Sequence, residues 1–119
     1  MIWLRAYVSR SLAVMICDVA TKSLMAGNED KAIILLSQAS DKDSDSYMPW
    51  ELLAQIYSNQ GKTGLAIELY KKALDLLNHR RDFLLSPADY SWERDSIQKK
   101  IGVLQKQLDN QHHIEQRSK

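Results

Sequence analysis

Little in this chain breaks a helix, and nothing can staple it internally. Its 119 residues include 4 glycines and 2 prolines. That scarcity, set among many Leu, Ala, Lys, Gln and Glu, points to a nearly all-helical protein. A single cysteine, Cys17, excludes an intramolecular disulfide and a cysteine-based zinc pattern, and fits a reducing compartment. Neither sign of charge dominates. Sixteen Lys and Arg meet 15 Asp and Glu, a formal +1, so the total does not favour nucleic acid or an acidic membrane. No run of about 18 uncharged apolar residues occurs, so no membrane span is expected. The stretch Ser11–Ala20 behind Arg5 and Arg10 has the flavour of a secretory leader, but Asp18 interrupts it and no small-x-small cleavage site follows. The expectation is a soluble, cytoplasmic chain, either one domain or a piece of a larger one.

Within that frame the breakers fall at regular places. No Gly or Pro precedes Gly27, so residues 2–25 can form one long helix. Leu4, Val8, Leu12, Met15, Ile16 and Val19 recur at steps of three and four, which predicts one buried stripe. Gly27 suits the left-handed position past a helix end, and Asn28 suits the cap of the next helix, with Glu29 and Asp30 in its first turn. That helix is expected to reach about residue 40, before the polar loop 40–46. Ser46 is the expected cap of a helix over 47–59 with Pro49 in its first turn. A break at 59–63 precedes a fourth helix that reaches about residue 80.

A shift of 34 positions superposes these breakers without a gap. Ala20 meets Ala54, Gly27 meets Gly61, Ala32 meets Ala66, and Ala39 meets Ala73. Two antiparallel helices that approach closely need small side chains at the crossing and a tight turn between them. In order, Trp50, Leu53, Ala54, Tyr57, Gly61, Ala66, Tyr70 and Ala73 match the residue classes of the tetratricopeptide repeat, and the chain resembles that family over 47–80. A weaker copy covers 13–46, through Ile16, Val19, Ala20, Gly27, Ala32, Leu36 and Ala39. Ser23 stands where the pattern has an aromatic, and Ser44 and Asn78 where it often has a closing proline. A third copy fails at Pro87 and Lys100. The resemblance implies an all-α fold of antiparallel helix pairs stacked as a short right-handed solenoid. Residues 1–12 would be an N-terminal helical extension.

A long C-terminal helix, 86–110, is expected to cap the array. Ser86, Pro87 and Asp89 make a capping box, and Tyr90, Ile97, Ile101, Leu104 and Leu108 form a seam. Trp92 and Val103 lie off it. The seam can pack on the last repeat or pair with another chain. Residues 111–119 are expected to be a polar tail.

Chemistry is hard to find. His112 and His113 are adjacent and point about 100° apart on a helix, so they cannot share a metal. His79 has no acidic or cysteine partner that stands out nearby, and all three read as surface histidines. Asp18 beside Cys17 disfavours a thiolate nucleophile. Asp41, Asp43 and Asp45 alternate as in calcium loops, but the central Gly and the closing Glu are missing. Lys71, Lys72, Arg80 and Arg81 suit a helix end and lack interleaved aromatics for nucleic acid. No catalytic residue, cofactor or metal site is expected.

The resemblance therefore implies a non-catalytic adaptor, scaffold or assembly factor that binds a protein or peptide partner. In that family the first helices of successive repeats line a groove, which places Cys17, Thr21, Leu24, Glu51, Gln55, Ser58 and Asn59 at the partner. Chaperone-tail clamps carry Lys and Asn where Cys17, Thr21 and Leu52 stand here, so that subtype is not expected. Trp3, Leu4, Tyr7 and Val8 offer a second surface, for the C-terminal helix or for a partner. The alternative is a self-assembling subunit, or a fragment of a larger machine, that associates through its terminal helices as a homo-oligomer.

Overall fold

A computed structural model describes the backbone of residues 2–79 and 91–117, and the side chains of 11–79 and 91–112. Five α-helices account for nearly all of it: α1 (Ile2–Met25), α2 (Glu29–Lys42), α3 (Met48–Asn59), α4 (Thr63–His79) and α5 (Ser91–Arg117). No strand occurs among the described residues. Each helix packs mainly on its neighbour in sequence, α1 on α2 through to α4 on α5. The molecule measures 62 × 33 × 19 Å, and the shortest dimension is about two helix diameters.

The two turns inside the pairs are built alike. Gly27 has φ 84° and Gly61 has φ 81°, the left-handed region where a Cβ is costly. Asn28 N–H donates to Ser23 O at 2.9 Å, and Lys62 N–H donates to Tyr57 O at 2.9 Å. Gly27 N–H reaches Leu24 O at 3.0 Å, and Gly61 N–H reaches Ser58 O at 3.1 Å. Every donor and acceptor in the second turn lies 34 residues after its counterpart.

The same spacing governs the crossings. Ala20 is 1% exposed, and Ala32, Ala39, Ala54, Ala66 and Ala73 are all 0% exposed. Two clusters form the core. One joins Ala13, Cys17 and Ala20 of α1 to α2 and to Leu53 and Ile56 of α3. The other joins Ala54 and α4 to Ile97 and Leu104 of α5. Tyr57 and Leu69 pack against both clusters and so link them.

Several local expectations change. The stripe predicted on α1 is turned: Leu12, Met15 and Val19 are 41%, 63% and 46% exposed, while Ala13, Cys17 and Ala20 face inward. α1 is apolar around most of its circumference, so periodicity alone offers two stripes. Close approach to α2 selects the small one. Only Ile16 of the predicted set packs on the core among the described side chains. Leu4 and Val8 lie outside them.

Ser46 does not cap α3. Tyr47 occupies that position with helical φ and ψ and makes no side-chain cap bond. Asn28 does cap α2, accepting from Lys31 N–H at 3.3 Å. α2 extends to Lys42, and α5 runs on to Arg117 where a tail was expected, since nothing from Asp109 onward breaks a helix. Ile97 and Leu104 of the seam are buried against α4, with Ile101 and Leu108 beside them. Ser86, Pro87, Asp89 and Tyr90 lie outside the described residues. Among the described side chains of α5, the outward face is polar apart from Trp92 and Val103, with Gln98, Lys99, Lys106 and Asp109 exposed.

Candidate docking face

Five of the seven predicted partner-binding residues line one or other of two recesses that share α3. The larger, about 370 Å³, lies between α3 and α5. Gln55, Ser58 and Asn59 line it from α3, and Tyr70 contributes from α4. Lys99, Lys100, Val103, Leu104 and Gln107 close it from α5. The α5 and α4 residues were not visible as a site in the sequence. Their signal is positional: Lys99, Lys100, Val103 and Gln107 flank the buried Leu104 on one side of the α5 seam.

Glu51 stands at the edge of this arrangement. Lys100 Nζ donates to Glu51 Oε1 at 3.3 Å and also lies 5.8 Å from the centre of the Tyr70 ring. Burial first, and the Glu51 carboxylate second, push the Tyr70 phenol above its ordinary pKa. It therefore stays neutral and can donate a hydrogen bond throughout the physiological range.

The smaller recess, about 260 Å³, lies between α1 and the start of α3. Val14, Met15, Cys17, Asp18 and Thr21 line it with Met48. The predicted residues contribute unevenly here. Cys17 is only 2% exposed and belongs to the core, so it offers a partner little surface. Burial pushes its thiol up to about 11, which keeps it protonated and unreactive. Thr21 Oγ1 donates to Cys17 O at 2.9 Å, a bond within its own helix. Asp18 pairs with Lys22 at 3.6 Å. Leu24 lines neither recess and packs, half-buried, on the first cluster. The side chains of Trp3, Leu4, Tyr7 and Val8 lie outside those described. Their backbone belongs to α1, which packs chiefly on α2.

His79 has a partner after all. Its Nδ1 lies 3.2 Å from Asp75 Oδ1 and 2.8 Å from Asp75 O, one turn back on the exposed side of α4. Among the described residues, no three His, Cys, Asp or Glu side chains converge as metal ligands. No helix among them is long and apolar enough to cross a membrane. Comparison with known proteins returns no match, whether among family models, curated proteins or solved structures.

Proposed function

We propose that this chain is a tetratricopeptide-like module of two helix pairs with a capping helix, a short right-handed solenoid. Its work is non-catalytic: as an adaptor, scaffold or assembly factor of the cytoplasm, it holds a peptide or a partner helix on the face of α1, α3 and α5. One observation carries the reading. The turn bonds and the buried alanines recur with a 34-residue step, down to matching donors and acceptors. A repeated unit of this kind leaves one helix of each pair facing a common side, and side chains there are free to meet a partner. Gln55 and Asn59 are exposed and have no side-chain partner among the described residues, and their amides both donate and accept.

A capture experiment tests it. Tagged wild type and Gln55→Ala/Asn59→Ala are compared for the proteins they retain from cytosol. Both positions are exposed, so the double variant should melt with the wild type. The expected result is selective loss of specific partners. Unchanged retention would remove the groove from consideration as the binding surface. A second reading, self-assembly, draws on the exposed row of Leu12, Met15 and Val19 on α1. Light scattering separates the two, since a mass that does not change with concentration argues against self-assembly.

A further inference from the structure

The two recesses differ in chemistry, and the difference describes a partner. Among the residues lining the larger one are two lysines and no carboxylate. Glu51, the nearest acid on α3, is already held by Lys100. Lys99 is exposed and makes no ion pair among the described residues. Gln55, Ser58, Asn59 and Gln107 add hydrogen-bonding groups that suit an extended backbone. The smaller recess is of another kind. Val14, Met15 and Met48 are exposed thereabouts at 56%, 63% and 37%, and its one acid, Asp18, is paired with Lys22. Methionine surfaces adapt to apolar side chains of varied shape.

We propose that this face binds an extended segment with a large apolar side chain against Val14, Met15 and Met48 and a side-chain carboxylate against Lys99, the lysine of the larger recess that Glu51 does not hold. The inference rests on the docking role proposed above and names the chemistry of the partner. The spacing of the two anchors follows from α3. Met48 lines the smaller recess, and Gln55 to Asn59 line the larger. At 1.5 Å per residue these lie roughly 10–16 Å apart along the helix. An extended chain advances about 3.3 Å per residue, so the apolar anchor and the acid should stand about three to five residues apart.

A display library of random 12-residue segments, fused at both ends so that no free terminal carboxylate is present, tests this directly. Selection runs in parallel on wild type and on Gln55→Ala/Asn59→Ala. Segments enriched on wild type alone should carry Asp or Glu three to five residues from Leu, Ile, Met or Phe. Enriched segments are then made as fluorescent peptides and titrated by anisotropy. Lys99→Glu should weaken them about tenfold and flatten their salt dependence. Met15→Asp should weaken them by a similar factor, while exchange of the peptide acid for its amide should remove the effect of Lys99→Glu. Both substituted positions are exposed, and circular dichroism verifies that the variants stay folded. Wild-type-specific segments that are neutral or basic, or acidic ones indifferent to Lys99→Glu, would overturn the charge assignment and leave the groove reading standing. If no segment distinguishes wild type from the double variant, both readings fall.

Discussion

Ile97 is the side chain on which the docking of α5 depends most. It is 0% exposed and packs with Leu77, Tyr70 and Leu104 in the second cluster. Ile97→Ala removes three carbons, and at about 0.8 kcal/mol per buried CH₂ the transfer loss alone is about 2.4 kcal/mol. The vacated volume adds a cavity term, which brings the total to about 3 kcal/mol, within the usual 2–5 for such truncations. Against a stability of roughly 5–15 kcal/mol that is a large fraction. For a chain of this length it corresponds to about 12 °C in Tm. Val103→Ala is the control: the same helix, but 57% exposed, with an effect within about 0.5 kcal/mol. Urea titration followed by far-UV circular dichroism measures both. A loss for Ile97→Ala no larger than for Val103→Ala would refute the packing of this seam. So would a wild-type midpoint that rises with protein concentration, because it would place the seam between chains.

Three further outcomes are expected. Gly61→Ala should destabilise by about 1 kcal/mol because its φ of 81° strains any L side chain although nothing lies within 4 Å of the added Cβ, whereas Gly102→Ala, in open space inside α5, should stabilise by about 0.5–1 kcal/mol; thermal melts read both. Ala66→Leu should destabilise by about 1–3 kcal/mol or more, since this 0% exposed position sits at the crossing of α3 and α4. Cys17 gives a pH signature. Its thiol is raised from an ordinary 9.0 to about 11, so above pH 9 the unfolded chain loses a proton that the folded chain keeps, and stability falls as pH rises from 9 to 11. Cys17→Ala should flatten that decline in urea titrations, and native Cys17 should react with a thiol reagent far more slowly than the denatured chain.

Much of the fold was legible because backbone demands left marks of one residue type. Only Gly answers a left-handed turn cheaply, and only a small side chain lets two helices cross, so Gly27, Gly61 and the six alanines stand out in the sequence. Large apolar residues were less informative. Leu12, Met15 and Val19 recur as a core stripe would, yet the partner helix chose Ala13, Cys17 and Ala20, a choice made by α2 and invisible within α1. The extent of α5 was underread because polarity alone does not end a helix, and no Gly or Pro follows Leu108 to break it. The candidate site was half legible. The α3 positions Gln55, Ser58 and Asn59 followed from the repeat. Tyr70, Lys99 and Val103 did not, because a recess made by three helices has no period along any one of them.

The contrast between α1 and α5 makes the array directional. Behind α5, any added helix would have to strip water from Lys99, Lys106 and Asp109. Ahead of α1, it would meet Leu12, Met15 and Val19. An engineer who wished to lengthen this protein by a designed helix pair would therefore graft it before the first helix, and should find the opposite graft insoluble or undocked.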